Sequence, residues 1–195
     1  MTASFFDRGL GEFLELVAKR QPAPGGGAVA AVTVSLAAGL VAMAARYSAD
    51  LADGAEGLAD EADRLRERAA SLADADADAY GAVIAAYESV RRGDDTAGRT
   101  AVRVALTCAA EVPLEVAELG AATARLAALF AVEGKKDVRG DAATALLLAE
   151  AATRSAAHLV AINVEAGGGD SELVRRAADS VQKAHDAAVS APDLR

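Results

Sequence analysis

Apolar residues along this chain recur almost everywhere at helical steps. Phe6, Leu10, Phe13, Leu14 and Val17 are spaced three or four apart, which predicts a short first helix over about residues 5–19 with one apolar face. Residues 28–45 (AVAAVTVSLAAGLVAMAA) carry no charge and have no polar face. A helix apolar all round belongs at the centre of a bundle or in an interface. The run is also as long as the shortest membrane spans. Its alanine content and the lack of an obvious second segment of this kind favour the buried helix, and Ala37, Ala38 and Gly39 would let a neighbour approach closely. This helix is expected to end near Ser48, Ala49 and Asp50.

A third helical pattern covers about residues 55–90. Leu58, Leu65 and Leu72 lie seven apart, Tyr80, Val83 and Tyr87 continue the stripe, and Glu61, Arg64, Glu67 and Arg68 fall off it. Gly93, Asp94 and Asp95 break the chain before a fourth pattern over about 96–132, which Pro113 is expected to kink or split. A polar turn follows, then a fifth helix beginning after Asp141 and running to about Glu165. Gly167, Gly168 and Gly169 end it, and Asp170 is placed to cap a last, exposed helix. Nothing reads as a strand. The expectation is an all-α fold, a single domain over 1–195. It is a helical bundle of five to seven elements, with a long central apolar helix and a fourth helix kinked at Pro113.

Composition narrows the class. Hydrophobic residues make up 53% of the chain, yet aromatics only 4% and Trp is absent, so the core must be built from Ala, Val and Leu in closely packed helices. The single Cys108 cannot form an internal disulfide, which points to a reducing, cytoplasmic setting and a small core residue. The first residues lack a basic stretch followed by an apolar one, so no signal peptide is expected. A net charge of −9 argues against nucleic acid or an anionic membrane as partner, and an anionic ligand would need its own positive cradle.

Four features carry candidate chemistry. Pro22, Ala23, Pro24, Gly25, Gly26 and Gly27 feed the apolar helix. Glycines there expose backbone N–H groups at the positive end of the helix dipole, a site for negative charge. They also suit a tight turn between packed helices. Asp76 falls on the stripe Leu72, Asp76, Tyr80, where burial would raise its pKa toward general acid–base work. A small rotation of the helix would instead bring it to solvent, in company with Asp74 and Asp78. Asp141 follows Gly140 in an N-cap context. Asn163 lies on the stripe Ala152, Ala156, Leu159, Asn163, and a buried amide there needs partners. Lys135, Lys136 and Arg139 form a basic turn that reads as a solvated loop or as a seat for an anionic tail. His158 and His185 have no metal spacing and no Cys/His cluster occurs, so no metal is expected.

Together these residues resemble one family. The run Phe13-Leu14-Glu15-Leu16-Val17-Ala18 with Pro22-Ala23-Pro24-Gly25-Gly26-Gly27-Ala28 is similar to the opening of the cyclodeaminase/cyclohydrolase family. That family includes the C-terminal half of formiminotransferase-cyclodeaminase and stand-alone methenyltetrahydrofolate cyclohydrolases. The resemblance continues in order through Asp76-Ala77-Asp78-Ala79-Tyr80, Ala110-Glu111-Val112-Pro113-Leu114, Gly140-Asp141-Ala142 and Ile162-Asn163-Val164, nearly the whole chain. It departs where relatives often carry Ser at Ala28 and Asn at Leu159, and the frequent Leu-Pro-Lys is missing near residues 89–93.

The resemblance implies an all-α homodimer acting on the one-carbon unit at N5 and N10 of tetrahydrofolate, with no cofactor beyond that substrate. It makes Asp76 and Asp141 the acid–base candidates, with Pro24, Gly25, Gly26 and Gly27 shaping the pocket and Asn163 orienting a polar group. Lys135, Lys136 or Arg139 would meet the glutamate tail. The expected reaction is hydrolysis of methenyl- to 10-formyl-tetrahydrofolate, because no formiminotransferase domain is attached. The alternatives are the ammonia-releasing cyclodeaminase and a non-catalytic folate- or partner-binding helical dimer.

Overall fold

The computed structural model describes residues 4–50, 54–91, 95–168 and 171–191. Its helices are α1 (Leu10–Ala18), α2 (Gly26–Tyr47), α3 (Ala55–Arg91), α4 (Asp95–Glu133), α5 (Arg139–Gly167) and α6 (Ser171–Ser190), with short 3-10 turns at Phe5–Asp7 and Lys136–Val138. Among the described residues there is no strand. The fold is an all-α bundle, as the helical periodicity predicts.

Helix α2 packs against α3, α4 and α5. Alanines make this possible: Ala28, Ala31, Ala37, Ala38, Ala44 and Ala45 are fully buried, and so are Val34 and Val41 between them. The two largest core clusters lie around Leu72, Val34 and Val116 and around Val41, Leu126 and Leu146. Close approach of α4 to α5 depends on Gly120, where an added Cβ would run into Thr153 Oγ1 and come within 3.3 Å of Val34 Cγ2. Enclosure of α2 is incomplete. Val29, Thr33, Leu40 and Met43 are only partly covered, and Leu36, on the same side, is 62% exposed. Gly26–Tyr47 and Lys136–Gly167 are both long and apolar enough to cross a bilayer, so a second such segment does exist. In this fold the two helices pack on each other.

Several expectations need correction. Helix α4 is not split: Asp95–Glu133 runs as one helix with a buried Pro113 inside it. Proline removes the N–H that would serve the carbonyl four residues earlier, that of Ala109. Asn163 Nδ2 donates to that carbonyl at 2.8 Å and replaces the lost bond. The apolar face of α1 does not enter the core. Only Phe13 is buried, edge-on to Phe5 with ring centroids 5.8 Å apart, while Leu10, Leu14 and Val17 are exposed. Cys108 is exposed too, not a core residue. Helix α5 starts at Arg139, so Asp141 lies in its first turn and is not its N-cap. Gly168, at φ 60°, ends α5 in the left-handed conformation that glycine tolerates. Gly93, Asp94, Gly169 and Asp170 lie outside the described residues.

Candidate active site

The glycine loop and the stripe carboxylate meet. Asp76 Oδ2 accepts a hydrogen bond from the Ala28 N–H at 2.9 Å, in the first turn of α2. The helix therefore takes its negative charge from within the chain. A glycine is required at position 27 for the same reason: an added Cβ would lie 2.8 Å from Asp76 Oδ2 and nearer still to Oδ1 and Cγ. Gly25 is the extended N-cap of α2, and Gly26 begins the helix with Leu159 Cδ1 3.8 Å from where its Cβ would be. Pro24 is buried behind a cis Ala23–Pro24 peptide. Ala28 is fully buried and contributes its backbone N–H.

Two effects compete at Asp76. Burial disfavours the charged carboxylate and raises the pKa, and the Ala28 N–H bond pulls it down. Burial is the larger, so the carboxyl sits above its ordinary range. A carboxyl whose pKa is raised is a better proton donor to a leaving group than an ordinary one is, and a stronger acceptor once ionised.

The loop is braced by contacts that no local motif signals. Gln21 Nε2 donates to the carbonyls of Ala23 and Leu16, at 2.8 and 3.2 Å. Asp74, one step round α3, accepts from Ser4 Oγ at 2.6 Å and from the Phe5 N–H at 2.9 Å, pinning the N-terminal segment beside the loop. Asp74 and Asp78 line a cavity of about 720 Å³ with Ser4, Gln21 and Ala23. An Asp-x-Asp pattern gives no sign of which carboxylate faces inward. Only the period from Leu72 does.

The other candidates divide by position. Asn163 lies one turn beyond Leu159, at the loop's end of the bundle, where its amide is engaged by Ala109. The basic turn is at the other end. The Lys135 N–H donates to Ser48 Oγ at 2.9 Å beyond the C-terminus of α2, and Arg139 Nε to the Gly134 carbonyl at 2.8 Å. Lys135, Lys136 and Asp141 are exposed. Since α2 spans 22 residues, the two ends are separated by about 30 Å of helix. One chain thus brings Asp76, the glycines, Leu159 and Asn163 together, and leaves Asp141 and the basic turn apart from them. His158 and His185 are exposed, the latter 3.2 Å from Glu150. No group of three metal-ligating side chains occurs among the described residues.

The described residues form an all-helical bundle in which a carboxyl of raised pKa meets the N-terminus of a glycine-opened helix. The chain belongs to the formiminotransferase-cyclodeaminase family, whose profile matches residues 9–183, and this is a family of enzymes. In structure it is similar to the crystal structure of a formiminotetrahydrofolate cyclodeaminase from Thermotoga maritima, at 24% identity and a TM-score of 0.82, covering 96% of this chain and 95% of that one. No curated protein matches the chain in sequence.

Proposed function

We propose that the chain is a formiminotetrahydrofolate cyclodeaminase with Asp76 as its acid–base group. In that reaction N10 bonds to the formimino carbon attached to N5, and the proton on N10 moves to the exocyclic nitrogen. The bond from carbon to that nitrogen then breaks. With one further proton from solvent, ammonia leaves and the methenyl bridge remains. A carboxyl above its ordinary pKa suits both transfers, accepting from N10 and donating to the departing nitrogen.

The observation that carries this reading is the Asp76–Ala28 hydrogen bond at the glycine loop, with a carboxyl whose pKa burial has raised. The family description and the matched structure both name a cyclodeaminase. The cyclohydrolase expectation has no such support of its own. Water adding to the methenyl carbon would use the same carboxyl, so hydrolysis is an outcome of the same test.

The reading uses no cofactor beyond the tetrahydrofolate derivative. It also includes a homodimer, supported by the partly covered α2 stripe around Leu36 and by the exposed Leu147 of α5. The dimer is the only route by which Asp141 or the basic turn of a second copy would reach an Asp76.

The test is to incubate the protein with 5-formimino-tetrahydrofolate and follow ammonia and methenyl absorbance together. Both rising above the spontaneous rate is the expected result. Loss of added methenyl-tetrahydrofolate without ammonia chemistry would favour the cyclohydrolase. Folate binding without either would favour a non-catalytic binding protein.

A further inference from the structure

Asn163 uses only part of the hydrogen bonding its amide allows. Nδ2 donates to the Ala109 carbonyl at 2.8 Å, and that carbonyl is free because Pro113, four residues on, has no N–H to offer it. The partner is an acceptor, so the amide has one orientation, with Nδ2 turned to α4 and Oδ1 turned away from it. Rotated by half a turn, Oδ1 would face the carbonyl oxygen and the bond would be lost. Among the described residues no group donates to Oδ1, and Oδ1 is not sealed from solvent. The proline in α4 thus sets which end of an amide on α5 is left free.

The free end lies in the space above the start of α2. Ala152, Ala156 and Leu159 form one stripe of α5. Ala152 and Ala156 pack in the cluster that holds Ala28 and Ala31 of α2, and Leu159 Cδ1 is 3.8 Å from where a Gly26 Cβ would be. Asn163 continues the stripe one turn, about 6 Å, beyond Leu159, where α2 no longer runs. Its side chain leans back toward the N-terminal end of α5, and so toward Gly26. Asp76 reaches the same turn of α2 from α3. A ligand seated on that turn has a carboxyl on one side and an unused acceptor on the other.

We propose that Asn163 Oδ1 accepts a hydrogen bond from the exocyclic N–H of the formimino group, and that Pro113 is the positioning residue that holds it in that role. This rests on the functional reading above. The contact makes a choice between substrates. A formimino nitrogen carries hydrogen. The formyl oxygen of 5-formyl-tetrahydrofolate, otherwise the same molecule, carries none and would meet Oδ1 lone pair to lone pair. An unrestrained amide would rotate and offer Nδ2 to that oxygen. Here rotation strands the Ala109 carbonyl, so a site built for N–H rejects C=O.

The test compares KM for 5-formimino-tetrahydrofolate with the inhibition constant of 5-formyl-tetrahydrofolate in wild type, P113A and P113A/N163L, with folding checked by urea denaturation. Alanine at 113 returns an N–H to the Ala109 carbonyl, so the double variant lacks the amide without stranding that group. Asp76 is present in all three proteins, and its own preference cancels from the comparison. For wild type the inhibition constant exceeds KM by about tenfold or more. In P113A the amide is released, the formyl compound binds more tightly and the ratio falls at least about threefold. In P113A/N163L KM rises and the ratio falls by about tenfold. A folded P113A/N163L that keeps the wild-type ratio overturns the contact. A ratio lost there but intact in P113A overturns the part given to Pro113. Absence of 5-formimino-tetrahydrofolate turnover by wild type overturns the functional reading, and the inference with it.

Discussion

Replacing Gly27 with alanine separates packing from chemistry at this site. The backbone is helical there, so in isolation the change reduces unfolded-state entropy and favours folding by about 0.4–1 kcal/mol. The structure opposes it. The new Cβ would lie 2.8 Å from Asp76 Oδ2 and closer to the rest of the carboxyl, with α3 and α2 tightly packed behind both groups. Either the helices part, costing about 1–3 kcal/mol for overpacking, or Asp76 leaves the Ala28 N–H. The second route gives up a hydrogen bond to a charged group, about 1.5–3 kcal/mol. After the entropy gain, the net loss is about 0–2.5 kcal/mol. Urea denaturation of wild type, Gly27→Ala, Asp76→Ala and the double variant measures it. With the carboxyl removed, Gly27→Ala should be neutral or stabilising, a coupling of at least about 1 kcal/mol. Equal destabilisation by Gly27→Ala in both backgrounds would refute the contact as the reason for glycine.

Other consequences follow from the same geometry. Asn163→Leu leaves the Ala109 carbonyl without its donor and should cost about 1–3 kcal/mol. Adding Pro113→Ala restores a backbone donor and should recover much of that loss in a denaturation series. Asp76 has a folded-state pKa above its unfolded value, so its contribution to stability is greatest below about pH 4 and is lost as pH rises through the raised value. Wild type should therefore lose stability relative to Asp76→Asn as pH rises from 4 toward neutrality; a flat difference contradicts the burial effect. Gly120→Ala, which would meet Thr153 Oγ1 in the core, should lower stability by about 1–3 kcal/mol in thermal melts.

Helix order is legible from periodicity because α3, α4 and α5 each bury an alanine-rich stripe and α2 is apolar all round. Asp76 was legible for the same reason, since the four-residue step from Leu72 puts it on the inward face. Its meeting with Gly27 was not, because the two are far apart in sequence and only packing of α3 on α2 joins them. By local rules Pro113 kinks or splits the helix. A long-range donor, Asn163, overrides that rule, and the same contact engages an amide expected at the ligand. Asp141 and the basic turn were grouped with the loop by motif order along the chain. Helix length then carries them to the opposite end of α2. The exposed face of α1 has the period of a core helix, and periodicity alone cannot say which surface covers it.

In the proposed function Asp76, held at the N-terminus of α2, moves the protons of a one-carbon reaction on tetrahydrofolate. Asp76→Asn keeps the shape and an acceptor for the Ala28 N–H while removing the titrating group. Single-turnover absorbance with 5-formimino-tetrahydrofolate, alongside equilibrium binding of the same compound, tests it directly. The variant is expected to bind as wild type does and to form the methenyl product at least about a hundredfold more slowly. Methenyl formation at the wild-type rate by a folded Asp76→Asn protein would contradict it.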